Sequence, residues 1–223
     1  MKIGILYSGG KDSNLVLLKL SKKEEVKVLI SIIPKSLESY MFHFPNIDLT
    51  KLQAKAIGLP IITKTTKAEK EKELEDLKEA LKEAKRKFEI EAIASGAIKS
   101  KYQKERIERI AKELNLKSIT PLWGISEEEE LKQIIASRIK AIITGVFAEE
   151  LKGFLGKEIE EVYDELLKLK GRINISGEGG EYETFVYDSP IFKKRIRIVE
   201  KEELNFGSYS LLKIKRAILE NKN

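Results

Sequence analysis

Residues 8–13 read Ser-Gly-Gly-Lys-Asp-Ser, directly after an apolar-rich stretch and directly before a helical pattern. Those residue types suit an anionic ligand. Glycine lets the main chain come close to a ligand. A helix starting just beyond it points free N–H groups and its dipole at negative charge. The dipole alone is worth about 0.3–1 kcal/mol at exposed sites, so Lys11 and the hydroxyls of Ser8 and Ser13 must add to it. Asp12 adds a condition. A carboxylate beside phosphates is repulsive unless a cation intervenes, which points to Mg²⁺. The stretch is not a Walker A loop: no glycine precedes Gly10-Lys11 at the required distance, and Asp12 stands where Ser or Thr would be. It also lacks the G-x-G-x-x-G dinucleotide pattern. The plainer reading is an ordinary strand-to-helix turn.

A second group of chemically capable residues is Gly177-Glu178-Gly179-Gly180-Glu181-Tyr182-Glu183-Thr184. Carboxylates gathered around glycines repel one another unless a cation neutralises them. They could serve Mg²⁺, face a cationic substrate, or form an exposed acidic turn. Other candidates carry two readings each. Arg106 could neutralise phosphate or take part in ion pairs along its helix. Trp123 could line a pocket or pack. Ser31, at a strand end, could contact a ligand through its backbone. His43, the single histidine, could touch a ligand or hold a turn.

These residues need elements to position them. Lys2–Tyr7 and Val26–Ile33 read as buried strands, and Asn14–Leu20 as a helix between them. Asp48 is a plausible N-cap for a helix at Leu49–Ile57 that Gly58-Leu59-Pro60 ends. Pro60–Thr65, Ile90–Ser95, Leu116–Thr120 and Lys140–Val146 read as further strands. Between them lie helices. Leu74, Leu77, Leu81, Ala84 and Phe88 form one apolar stripe; Ile107, Ile110, Ala111 and Leu114 form another; and Glu127–Ser137 is also helical. Such alternation predicts a parallel sheet wrapped on both faces, with right-handed crossovers. After about Val146 the pattern changes. Helical segments at Glu149–Leu155 and Glu158–Leu169 precede the glycine-acid stretch, and Lys193–Glu200 and Ser208–Ile218 alternate like strands. The expectation is an α/β domain over residues 1–145 and a smaller α+β domain over 146–223.

Length and composition set limits. With 223 residues and 42% apolar content, the chain can bury a full core. The absence of cysteine excludes disulfides, Cys-based zinc sites and thiol nucleophiles, and one histidine excludes multi-His metal sites within the chain. No apolar run is long enough to span a membrane, and Met1-Lys2 leads straight into a needed strand, so the expected setting is cytoplasmic. The net charge of +6 is compatible with nucleic acid, but basic and acidic residues are mixed along helices, which argues against such a partner. Homo-oligomerisation stays open.

Ser8–Ser13 resembles the S-G-G-x-D-S loop of the ATP pyrophosphatase (PP-loop) superfamily, at the same place between first strand and first helix. Members cleave ATP between its α and β phosphates, and this loop holds the pyrophosphate portion. Further stretches are similar to the diphthine–ammonia ligase family over nearly the whole chain. They are Ser95–Ser100 with Tyr102-Gln103 and Arg106; Pro121-Leu122-Trp123; Glu178–Thr184; and Asp188-Ser189-Pro190, with Met41-Phe42-His43 and Gln53-Ala54.

The resemblance implies a doubly wound, Rossmann-like PP-loop fold. It also implies ATP-dependent amidation of diphthine, a modified histidine on translational elongation factor 2, to diphthamide. An acyl-adenylate would be attacked by ammonia, and AMP and PPi would leave. ATP is then co-substrate, Mg²⁺ the metal, and Asp12 its ligand. Asp12, Lys11, Glu181 and Glu183 would be catalytic. Ser8, Gly9, Gly10, Lys11, Asp12 and Ser13 would hold ATP, with Ser31, Ser95, Gly96 and Ala97. The acceptor would meet His43, Tyr102, Gln103, Arg106 and Trp123, and also Glu178, Gly179, Gly180, Tyr182 and Thr184. Diphthine carries a trimethylammonium group that aromatic faces and negative charge would hold, so Glu178, Glu181 and Glu183 are expected on the acceptor and ammonia side. Two rivals remain: a PP-loop enzyme that adenylates tRNA, and a non-catalytic adenine-nucleotide-binding protein of the same fold.

Overall fold

The computed structural model describes residues 1–34, 46–66 and 70–222. Met41, Phe42 and His43 lie outside the described residues.

The chain begins as expected, with β1 (Lys2–Leu6), α1 (Lys11–Leu20) and β2 (Glu25–Pro34). A 3-10 turn at Ile47–Leu49 leads into α2 (Thr50–Ile57), then β3 (Ile61–Thr66), α3 (Lys70–Phe88), β4 (Ala92–Ala94), α4 (Lys101–Glu113) and β5 (Lys117–Ile119). The five strands form one parallel sheet in the order β3-β2-β1-β4-β5. The chain moves outward from β1 to β3, then returns to the far side of β1 for β4. The switch point therefore lies between β1 and β4, where ligands of such sheets collect beyond the strand ends.

Both faces of this sheet are covered, which explains its nearly unbroken apolar strands. Leu77, Leu81 and Ala84 of α3 and Ile107 and Ile110 of α4 pack with Val28, Ile30 and Ile93 on one face. Leu15 and Leu17 of α1 and Ala54 and Ile57 of α2 pack with Ile3, Ile5 and Leu29 on the other. The stripes read from the sequence are thus the buried faces of α3 and α4. Asp48 does not cap α2: it falls inside the 3-10 turn, where its backbone is already helical, and Leu49 occupies the cap position without a side-chain bond. Gly58 ends α2 as expected, in the left-handed region at φ 83°.

The second half departs from the parallel pattern earlier than the sequence suggested. After α5 (Glu127–Ala136) comes β6 (Lys140–Val146), which pairs antiparallel with β7 (Tyr182–Asp188) and with β9 (Ser210–Asn221). With β8 (Lys194–Asn205) these strands make a second sheet in the order β7-β6-β9-β8. Thus β6, read from its apolar run as a continuation of the parallel alternation, belongs to the other sheet. A short buried run does not reveal its partner's direction. The segment Glu149–Phe154 is a 3-10 helix, and α6 (Ile159–Lys168) follows. Ile142, Phe185 and Leu212 of the second sheet share one apolar core with Ile3, Ile5 and Leu15 of the first half. Among the described residues, no helix is long and apolar enough to cross a membrane.

One polar side chain fastens the two sheets. Gln53 of α2 is fully buried, and its amide nitrogen donates to the Gly9 carbonyl at 2.9 Å and the Val186 carbonyl at 2.7 Å. The Gly9 carbonyl also accepts from the Val186 N–H, so Gln53→Leu should destabilise the protein by about 1–3 kcal/mol, chiefly through the Val186 carbonyl. Urea unfolding followed by circular dichroism measures this, and a loss below about 0.5 kcal/mol would show that the Val186 carbonyl finds another donor.

Candidate active site

The loop between β1 and α1 is built by local bonds. Gly9 sits at φ 84°, and a Cβ there would collide with Gln53 Oε1. The Gly10 N–H donates to Ser8 Oγ at 3.3 Å, and Ser13 Oγ donates back to the Gly10 carbonyl at 3.1 Å. Asn14 Nδ2 donates to the same carbonyl at 3.0 Å, while Asn14 Oδ1 accepts from the Tyr7 hydroxyl at 3.0 Å. This knot sets the first turn of α1 against the end of β1.

Three further segments close around it. The loop after β4 lies so near that a Cβ on Gly96 would come within 3.2 Å of the Asp12 Cβ. The turn at 174–180 brings Glu178, whose Oε1 accepts from the Ile98 N–H at 2.8 Å. From β7, Thr184 Oγ1 accepts from the Lys11 N–H at 3.0 Å. Together they enclose a cleft of about 490 Å³ beyond the ends of β1 and β4, within the usual range for small-ligand sites.

Lys11 is the centre of the electrostatics. Its side chain is 3% exposed, with Nζ 2.6 Å from Asp12 Oδ1 and 2.6 Å from Glu130 Oε1. Burial opposes its charge, but Asp12 and Glu130 outweigh burial and hold the ammonium well above the ordinary lysine value. Glu130 is pushed well up, by burial first and the Asp12 charge second. Glu183 and Glu178 are also raised, in both cases chiefly by burial.

Most of the expected residues meet here. Ser8, Gly10, Lys11, Asp12, Ser13, Ser95, Gly96 and Ala97 line the cleft on the first-sheet side. Gln103, Glu178, Gly179, Gly180, Tyr182, Glu183 and Thr184 complete the wall. Several do not join them. The Gly9 carbonyl accepts from Val186 N at 3.0 Å and so is turned toward β7. Ser31 is buried, donating to the Tyr7 carbonyl, while its neighbours Ile30 and Ile32 reach the cleft. Tyr102 and Arg106 stack on each other, guanidinium carbon 3.3 Å from the ring centre, and neither lines the cleft. Trp123 is also outside it, with the Lys104 ammonium 5.0 Å above its ring. Glu181 points back into its own turn, where Oε1 accepts from Asn174 N at 3.1 Å. Tyr182 lines the cleft but is only 2% exposed, and its hydroxyl donates to the Ile175 carbonyl at 2.9 Å.

Sequence reasoning missed Glu130. It lies on the face of α5 that carries the buried Leu131 and Ile134, a carboxylate on an apolar stripe. That misplacement was the available signal, but it was hidden in the run Glu127–Glu130. Phe147 and Ser176, which also line the cleft, carried no signal in spacing.

Two comparisons decide the family. The model described as "Diphthamide synthase N-terminal domain" matches residues 1–118, and the model described as "Diphthamide synthase C-terminal domain" matches residues 126–219. The chain belongs to the diphthamide synthase family.

Relatives of this diphthamide synthase family chain bear the name diphthine–ammonia ligase, that of a C–N bond-forming enzyme. The Mus musculus protein is 36% identical over 100% of this chain and 94% of its own length. The Homo sapiens protein is 36% identical over 92% and 85%. The Schizosaccharomyces pombe protein is 35% identical over 98% of this chain but only 40% of its own length. A solved structure described as a predicted subunit of tRNA methyltransferase from Methanocaldococcus jannaschii covers 85% of this chain and 98% of that one. At 18% identity and a TM-score of 0.42 it carries no argument.

The raised carboxyl of Glu183 makes a prediction with a definite sign. Its folded value lies well above the ordinary 4.5. Its contribution to stability is therefore complete below that value and is lost as pH rises through the folded one. Without ligands, Glu183→Gln should melt higher than wild type at alkaline pH, and the gap should close as pH falls toward 4.5. Melting curves of both proteins across this range check it; a gap that widens on acidification would contradict the burial argument.

Proposed function

We propose that this chain amidates diphthine on elongation factor 2 to diphthamide, with ATP and ammonia as co-substrates. Family membership supports diphthamide synthesis. The observation that carries the finer reading is the cleft itself. A Ser-Gly-Gly-Lys-Asp-Ser loop at a sheet's switch point faces acidic side chains from a second sheet across about 490 Å³.

A carboxylate is a poor electrophile. In the proposed reaction its oxygen attacks the α-phosphorus of ATP and pyrophosphate leaves. Ammonia then attacks the acyl carbon, and AMP leaves with the bonding pair. Lys11 and the N-terminal N–H groups of α1 take the pyrophosphate side, where charge develops as it departs. The first sheet carries this nucleotide side and the second sheet, which begins with β6 at Lys140, the acceptor side. Glu183, whose raised pKa makes its ionised form the stronger base, is the carboxyl best placed by environment to take a proton from incoming ammonium. Glu178, committed to the Ile98 N–H, shapes the cleft instead.

Mg²⁺ fits on the nucleotide side. Asp12 is the most accessible carboxylate paired with Lys11, at 36% exposure, and Mg²⁺ in nucleotide sites uses one or two carboxylates together with phosphate oxygens. Among the described residues, no group of three or more His, Cys, Asp or Glu side chains converges as an all-protein cage. When bound, the ion would neutralise charge on the departing pyrophosphate.

The test is one incubation of the protein with ATP, Mg²⁺, ammonium and diphthine-bearing elongation factor, read by the mass of the modified peptide and by AMP release. Release of AMP dependent on tRNA instead would favour the rival. Asp12→Ala should fold and lose about 10²–10³ in rate, as for removal of one electrostatic stabiliser. A folded variant with near-wild-type AMP formation would sink the assignment. Free ammonium should be the nitrogen source, because common glutaminases use a cysteine nucleophile and this sequence has none. Efficient use of glutamine by the pure protein, free of contaminating ammonia, would contradict this.

A further inference from the structure

Two carboxylates share the Lys11 ammonium at equal distance, 2.6 Å each, and they are not equivalent. Asp12 belongs to the loop and is 36% exposed; Glu130 comes from α5 and is 0% exposed. Glu130 Oε2 is buried without a hydrogen-bond partner, so the pair with Lys11 is the chief compensation for burying this carboxyl. The helix that carries it is fixed, since Leu131 and Ile134 are fully buried in the core that holds α1.

This asymmetry bears on how an anion enters. A phosphate reaching the cleft must take donors from the same ammonium, and a carboxylate standing between them would repel it. One partner has to yield. Releasing Glu130 would leave its buried carboxyl, whose Oε2 already has no partner, without any partner in a place without water, and leaving a buried polar or charged group unpaired is strongly unfavourable. Releasing Asp12 only returns a partly exposed carboxylate to the cleft.

Resting on the nucleotide reading above, we propose that Glu130 is a positioning residue: it keeps the Lys11 ammonium at the loop while Asp12 is the partner exchanged for the nucleotide's phosphate. The exchange frees Asp12 to face a cation. Glu130 itself touches no substrate; it acts through Lys11.

Simple charge counting makes the opposite forecast for Glu130, because removing any negative charge beside a phosphate site should strengthen anion binding. Calorimetric binding of ATP in EDTA to the whole chain separates the two views. Asp12→Asn should bind about tenfold more tightly than wild type, since the group to be displaced has lost its charge. Glu130→Leu should bind about tenfold more weakly, although it too removes a carboxylate from the same ammonium. Glu130→Gln keeps an acceptor for Lys11 and should fall between, weakened about threefold. Should Glu130→Leu fail to fold, Glu130→Gln decides by the same criterion. Binding by Glu130→Gln equal to or tighter than wild type overturns the proposal. An equal loss in Asp12→Asn and Glu130→Leu also overturns it, because that is the mark of structural support alone. A wild-type protein that binds no ATP, with or without Mg²⁺, overturns the nucleotide reading and this inference with it.

Discussion

A lysine ammonium held almost out of water is the constraint around which this molecule is arranged. Lys11 cannot be buried as a cation without negative partners close by, and the chain supplies them from two places. Asp12 follows it in sequence, while Glu130 arrives more than a hundred residues later on α5. The first acidic turn of α5 does more than meet Lys11. Glu127 accepts from Ile175 N and pairs with Lys99, and Glu128 pairs with Lys132 and Lys170. One helix terminus thus ties together the loop between β1 and α1, the loop after β4 and the turn that leads into β7.

The second sheet completes the site rather than merely adjoining it. Thr184 caps the Lys11 N–H, the Val186 N–H and Gln53 secure the Gly9 carbonyl, and Glu178 reaches across to Ile98. Thr184, the Val186 N–H and Glu178 thus bring second-sheet partners to polar groups of the doubly wound half. The cleft is a seam between two sheets with a common apolar core, so its two walls are held at a set separation.

Several features set carboxyls against their own solvation. Glu130, Glu178 and Glu183 are all shifted toward the neutral form by burial, and Asp12 adds to the effect on each. Such groups cost stability and cluster at functional sites. Glu178 and Glu183 line the cleft, whereas Glu130 stands behind Lys11; a cation entering the cleft would relieve the repulsion among them.

The sequence alone determined what depends on neighbours along the chain. The β1–loop–α1 unit, the apolar stripes of α3 and α4 and the stop at Gly58 all follow from spacing within a few residues, because helix period, turn conformation and N–H orientation are local. An anion-binding loop could be proposed for the same reason: Ser8–Ser13 carries its donors and its carboxylate in one hexapeptide. What tertiary structure decided was pairing and burial. The run Lys140–Val146 reads the same whether its partners are parallel or antiparallel, and β7 was masked by the glycines and carboxylates before it. Glu181 and Glu183 are two residues apart, a spacing that would share one face of a strand, but Glu181 lies just before β7 and bends into its turn while Glu183, inside β7, lines the cleft. Arg106 and Tyr102 satisfy each other, and Trp123 meets Lys104, although their types suited a binding site equally well. Glu130 looked like one more solvated glutamate in a row of four; only the fold, by pressing Leu131 and Ile134 into the core, turned it inward to Lys11.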